Sequence, residues 1–184
     1  MPRALVTGAS GFAGGYLVRH LLQEGYEVIA GTHGKGELPE GCERVNLDVT
    51  DAPRMATAIE GYRPDEVYHL AGITRPASGD ISAFYEVNFH GALNLLQAVG
   101  ERSPRTAVLL VGSAYAYGKV DYPIPESRPL EPVNHYGVSK ASVELLARTY
   151  VLQGLRVVLA RPFNHSGPGQ SPAPTMHLLV LACH

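Results

Sequence analysis

The chain has 184 residues, 45% hydrophobic and 17% charged, which is globular composition and enough length for one domain with its own core. A formal net charge of -2 leaves no basic footprint for nucleic acid and no polybasic patch for a membrane surface. No apolar run is long enough to cross a bilayer, and the run in MPRALVTG is too short for a signal peptide.

Apolar runs and helical periods alternate from the first residues. RALVTG (3–8) reads as a buried strand closed by glycine, and AGGYLVRHLLQEG (13–25) follows with helical spacing and a glycine stop. YEVIAG (26–31) is a second strand. ERVNLDVTD (43–51) is a third, short one running into a helix start, which Thr50 or Asp51 would cap and whose first turn Pro53 suits. PDEVYHLAG (64–72) is a fourth strand, DISAFYEVNFHGALNLLQAVGE (80–101) a long helix, and TAVLLVGS (106–113) a fifth strand. Residues 136–153 form another helix and LRVVLARP (155–162) a sixth strand. This alternation predicts an α/β fold, a doubly wound parallel sheet with helices on both faces. The four prolines of DYPIPESRPLEPVN (121–134) read as an ordered loop at the carboxyl edge of that sheet, where such folds bind ligands. Cys42, Cys183 and the eight histidines show no metal-ligand spacing, so no metal site is expected. The thiols read as reduced, as in a cytoplasmic protein.

TGASGFAGGYL places Gly8, Gly11 and Gly14 at G-x-x-G-x-x-G spacing between the first strand and the first helix. A plain turn needs no such series. A dinucleotide site does: Gly8 for the tight turn, Gly11 for close approach of a pyrophosphate, Gly14 for helix–strand packing. The second strand then ends in VIAGTHGKG, without the acid that binds the ribose 2′-hydroxyl of NAD. Thr32, His33 and Lys35 stand there instead and would accommodate a 2′-phosphate. The expected cofactor is NADP(H) or NAD(H), with these residues favouring NADP(H). Asp48 would either bind the adenine amino group or cap the following helix.

Tyr136 and Lys140, four residues apart, share one face of a helix. A phenol titrates near ~10 and needs help to move protons at neutral pH. A nearby ammonium is expected to lower that value. Ser113, at the end of the fifth strand, would bond the same substrate oxygen. Together they suit carbonyl reduction or alcohol oxidation beside a nicotinamide.

The segments TGASGFAG, DVTD, HLAG (69–72), VNFHGALNLL (87–96), VGSAYAYG (111–118), YGVSK (136–140) and RPFNHSGPGQ (161–170) resemble an extended short-chain dehydrogenase/reductase of the NAD-dependent epimerase/dehydratase family. They span nearly the whole chain in that family's order. The resemblance implies a Rossmann-like fold, with Tyr136 as acid–base residue and Lys140 as its electrostatic partner at the nicotinamide ribose. It implies that Ser113 polarises the substrate oxygen, and that Phe12, Val49, Leu70, Ala71 and Gly72 line the cofactor. Asn88 would support the site from its helix. Arg161 would approach the cofactor, and Ala114, Tyr115 and Asn164 the substrate.

Within the family, NHYGVSK and RPFNHSGPGQ look most like enzymes acting on GDP-linked 6-deoxy-4-keto sugars. The implied reaction is reduction of the C4 ketone of GDP-4-dehydro-6-deoxy-D-mannose to GDP-D-rhamnose. A 4,6-dehydratase typically carries an acid just after the catalytic serine or threonine. Ala114 and Tyr115 stand there here, which leaves a reductase or a 4-epimerase. A chain that binds cofactor without turnover is the remaining alternative. The family's dimer would use the helices at 80–101 and 136–153. Residues 1–165 are expected to be the dinucleotide-binding domain and 166–184 the truncated start of a substrate domain, ending in a short helix or a loose tail.

Overall fold

The computed structural model describes residues 1–75 and 79–170. The expected helix or tail at 171–184 lies outside the described residues. Six parallel strands carry the fold: β1 (Arg3–Thr7), β2 (Glu27–Thr32), β3 (Glu43–Asn46), β4 (Glu66–His69), β5 (Ala107–Val111) and β6 (Arg156–Ala160). They lie in the order β3-β2-β1-β4-β5-β6. β1 is central, with Leu5 in register with Ile29 on one side and Val67 on the other. A parallel strand covered on both faces must be apolar on both, which is why RALVT and EVIAGT read as continuous runs rather than alternations.

The helices are α1 (Phe12–Gln23), α2 (Ala52–Tyr62), α3 (Ser82–Phe84), a π-helical segment (Tyr85–His90), α4 (Gly91–Arg102) and α5 (His135–Leu152). Ala4, Val6, Val28 and Ala30 point to the layer of Val18 and Leu21 on α1. Leu5 and Ile29, one residue out of phase, point to the layer of Met55, Ile59, Leu95, Leu96, Val99 and Val143 on α2, α4 and α5. The strand order reverses between β1 and β4, and a crevice for ligands opens beyond their carboxyl ends. Among the described residues no helix is long and apolar enough to cross a membrane.

Three elements depart from the sequence reading. β3 stops at Asn46, not near residue 51, and a turn follows in which the Asp48 carboxylate accepts from the Thr50 amide (2.9 Å) and hydroxyl (2.8 Å). Asp51, one of the two expected caps, closes α2 by accepting from the Arg54 amide at 2.9 Å, with Pro53 in the first turn. β4 ends at His69, so Leu70, Ala71 and Gly72 form a loop instead of strand. The long helix expected at 80–101 is interrupted by the π turn, which buries Asn88.

Gly14 and Gly61 separate packing from propensity. A Cβ on Gly14 would stand 2.2 Å from the Gly8 carbonyl oxygen and 2.8 Å from Ala9 Cα, whereas one on Gly61 in α2 would meet nothing within 4 Å. Gly14→Ala is expected to destabilise by about 1–3 kcal/mol, because backbone has to move. Gly61→Ala is expected to stabilise by about 0.5–1 kcal/mol through helix propensity. Urea denaturation of both variants measures the two effects.

Candidate cofactor and catalytic site

The first turn is built by absence of side chains. Gly8 has φ +68°, and a Cβ on it would lie 2.7 Å from the Ala71 nitrogen, so the 70–72 loop packs directly on the turn. Gly11 is the N-cap of α1, with no side-chain cap and no acid in the first turn. The first amides of a helix have no partner within it, and here the first turn carries no acid to compete for them. The cradle fits a pyrophosphate, and Gly11 and Phe12 stand at its mouth.

Behind the 70–72 loop sit the buried polar groups. Thr7 Oγ1 accepts from the Ala71 amide at 3.2 Å and bonds His69 Nδ1 at 2.9 Å. Burial, aided by the charge of Lys140, pushes the His69 pKa down to about 3, so its imidazole is neutral. Lys140 Nζ donates to the Val111 carbonyl at 2.9 Å, and burial pulls its pKa down to about 8. Asn88 accepts from the Ile73 amide at 2.8 Å and donates to the Ile73 carbonyl at 3.1 Å and to Ser139 Oγ at 3.0 Å. A Cβ on Gly72 would stand 2.9 Å from Asn88 Oδ1 and 3.2 Å from Lys140 Nζ. The loop, the π turn and α5 therefore converge at one point.

Ser113 is not the last residue of β5. It caps the 3-10 turn Ala114–Tyr117, where its hydroxyl accepts from the Tyr115 amide at 3.2 Å. Asn134 caps α5 by accepting from the Gly137 amide at 2.7 Å. A Cβ on Gly137 would be 2.6 Å from the Tyr115 carbonyl, so the start of α5 presses against the 3-10 turn. That contact sets Tyr136 beside Ser113, with the Tyr115 ring edge-on at 5.6 Å and Phe84 at 6.0 Å. Ala114 is half-buried on the same turn and Tyr115 is exposed.

The expectation that Lys140 lowers the Tyr136 pKa is corrected. Burial raises it, and the bond to Ser113 opposes this only in part. The ammonium is itself desolvated and committed to Val111. Tyr136 is a phenol that keeps its proton at neutral pH.

Arg161 also differs from expectation. Its guanidinium pairs with both Glu144 carboxylate oxygens, donates to Tyr117 Oη (2.6 Å) and to the Glu126 carbonyl (2.8 Å), and lies over the Tyr117 ring. These partners occupy it, and it ties β6 to α5 and the 3-10 turn. The segment after β6 folds back on α1: His165 stacks on Phe12 at 6.0 Å, and Tyr16 Oη donates to the Pro168 carbonyl at 2.8 Å. Asn164 is exposed on that segment.

Beyond β2, Thr32 is buried, His33 pairs with Asp48 at 3.4 Å, and Lys35 is exposed. Val49 is buried against Gly91. The sequence reading missed Arg44, whose guanidinium donates to Thr32 Oγ1, and Glu144, whose partners are Arg161, just after β6, and Arg148, on the next turn of α5. Neither belongs to a motif. The basic residue opposite the end of an acid-free β2 was the available signal for Arg44.

The model of the NAD dependent epimerase/dehydratase family matches residues 4–184. The chain belongs to that family. It is 37% identical over 174 residues to a GDP-6-deoxy-D-mannose reductase of Pseudomonas aeruginosa, covering 91% of this chain and 54% of the relative. It is 33% identical to a GDP-6-deoxy-D-talose 4-dehydrogenase of Aggregatibacter actinomycetemcomitans, covering 92% and 55%. Among solved structures it resembles the UDP-glucose 4-epimerase of Thermus thermophilus in complex with NAD, with TM-score 0.87 and 29% identity, covering 97% of this chain and 60% of that one. The family member described here thus spans about half the length of the curated relatives it matches.

A buried lysine has a stability signature. Its folded pKa lies near 8 against an ordinary 10.5, so above pH 8 the unfolded chain binds more protons and stability rises with pH. Relative to Lys140→Met, the wild type is expected to gain on the order of 3 kcal/mol between pH 8 and pH 10.5. Urea denaturation of both proteins at the two pH values measures the gain; a pH-independent difference refutes a desolvated ammonium.

Proposed function

We propose that the chain is the cofactor-binding half of an NAD(P)H-dependent reductase of nucleotide-linked 6-deoxy-4-keto sugars. The observation that carries this reading is a half-buried Tyr136 that keeps its proton beside Ser113, in a fold whose first helix starts from a turn with no side-chain cap and no acid. The names of the Pseudomonas and Aggregatibacter relatives, a GDP-6-deoxy-sugar reductase and a dehydrogenase, support the substrate class. Ala114 and Tyr115 follow Ser113 where a dehydratase typically has an acid.

The amides of Phe12 and Ala13 would hold the pyrophosphate, while the Gly11 amide closes the turn on the Gly8 carbonyl at 2.9 Å, and Leu70 to Gly72 would line the dinucleotide. Lys140 Nζ, with donors beyond the one given to Val111, would bond the ribose hydroxyls. A bound reduced nicotinamide supplies the hydride. The Ser113 hydroxyl holds the substrate carbonyl oxygen at the edge of the 3-10 turn. Tyr136 gives its phenolic proton to that oxygen as negative charge develops on it. The raised pKa keeps the phenol protonated, the form the reductive direction needs, and makes it a weaker acid, so its proton moves only as full negative charge develops on the oxygen. A homodimer through the outer faces of residues 80–101 and 136–153 belongs to the same proposal, and a monomer mass in sedimentation refutes it.

Titration with NADPH and NADH, followed by nicotinamide fluorescence, is expected to show saturable binding. Adding GDP-4-dehydro-6-deoxy-D-mannose to this half completed by a substrate-binding half is expected to consume NADPH one for one. Tyr136→Phe is expected to lose about 10²–10⁴-fold in rate while keeping cofactor affinity. Interconversion of a UDP-sugar without net cofactor loss would identify an epimerase instead. Unchanged rate in the phenylalanine variant would remove Tyr136 as the acid.

A further inference from the structure

We infer that Arg44, an edge-strand residue outside every motif of the sequence, is the residue that reads a 2′-phosphate on the adenosine ribose and makes the site select NADP(H). The inference rests on the cofactor reading above. It starts from a gap: residues 31–36, GTHGKG, offer no carboxylate to a ribose 2′-hydroxyl. An acid in that place would repel a phosphate; its absence removes the repulsion and does not by itself create affinity.

The affinity has a candidate source in β3. Arg44 is in register with Ala30, two residues before the end of β2, and its side chain runs toward that end. Nη1 donates to Thr32 Oγ1 at 3.2 Å and to the Gly34 carbonyl at 3.4 Å, and Nη2 donates to the Gly36 carbonyl. All three acceptors are neutral. Among the described residues no carboxylate forms an ion pair with this guanidinium. Of its five N–H donors, Nε–H and one on Nη2 remain for an anion.

The other basic groups are less well placed. His33 is already paired with Asp48 at 3.4 Å. Lys35 is an exposed point charge on a flexible stem. Arg44 is instead held as a fork by the backbone of the loop it serves, and a planar fork matches a phosphate. That loop reaches the pyrophosphate cradle: a Cβ on Gly36 would lie 2.6 Å from Ser10 Cβ, in the glycine turn. The guanidinium and the cradle are therefore linked through one short stretch of chain, as the two phosphate sites of one dinucleotide require.

Fluorescence titration of the chain with NADPH and with NADH tests this directly. In the wild type NADPH is expected to bind more tightly. Arg44→Ala is expected to weaken NADPH by about 10- to 100-fold, the range for hydrogen bonds to a charged group, and to leave NADH unchanged. Thr32→Asp, which sets a carboxylate against the same guanidinium, is expected to weaken NADPH while NADH holds or improves. Equal weakening of both cofactors by Arg44→Ala would mean that Arg44 only shapes the loop, and would overturn the inference. No effect on either would overturn it too, with the cofactor reading intact. Failure of the folded wild type to bind either cofactor would overturn both.

Discussion

The approach of α1 to β1 is the constraint on which the other features depend. The Gly8 carbonyl and the backbone of Gly14 are so close that a methyl group between them has no room. That contact fixes the direction of α1, and so the direction in which its unpaired amides point. It also exposes the flank of the Gly8 turn to Ala71, which brings the carboxyl end of β4 into the same crevice. One short-range steric fact thus sets both walls of the cofactor cradle. Glycine weakens strands and helices by propensity, and it is retained here because any Cβ would push the walls apart.

Electrostatics at the floor of the crevice follow from burial rather than from charge pairing. Among the described residues Lys140 has no carboxylate partner, only the Val111 carbonyl, and its ammonium is destabilised accordingly. His69 is neutral chiefly because it is fully buried, and the charge of Lys140 adds to the same effect. Tyr136 stays a phenol for the same reason, because a phenolate would lose its solvation. The site therefore stores a proton on the tyrosine and a strained positive charge on the lysine. In the proposed reaction, negative charge developing on an oxygen beside Tyr136 is met by that stored proton, a gain made as the charge develops and absent from the ground state.

Much of this was legible in the sequence, and the reasons it failed elsewhere are physical. The six strands and the glycine cradle could be read because buried parallel strands are uniformly apolar and the cradle needs residues without side chains; the order of the strands could not, since it is a matter of crossovers. Tyr136 and Lys140 could be placed on one face because helical period is local. Their titration could not, because it depends on how deeply α5 sinks against β5, a tertiary quantity. The π turn at Tyr85–His90 left no trace, since six residues with helical propensity do not reveal an i to i+5 pattern. It is nonetheless what buries Asn88, whose amide holds both polar groups of the Ile73 peptide. The protein partners of Arg161 were not legible, because a motif says which residue is present and not which way its guanidinium turns.

Arg161 shows where precision in the site comes from. Glu144 is buried and receives Arg161 from just beyond β6 and Arg148 from the next turn of its own helix. Arg161 also grips Tyr117, at the end of the turn that Ser113 begins. A buried ion pair costs desolvation that its attraction scarcely offsets, so net stability is a poor explanation for it. Position is a better one. The pair holds α5 to the 3-10 turn from one side, while the Gly137–Tyr115 contact holds them from the other. Tyr136 and Ser113 lie on the two elements so clamped, and a misplacement of about 1 Å between such groups can cost on the order of 10²-fold in rate. Backbone bonds from the Ala114 amide to the Pro162 carbonyl and from the Glu131 amide to the Ala116 carbonyl, both 3.0 Å, fix the turn further, so its geometry is imposed by the elements around it.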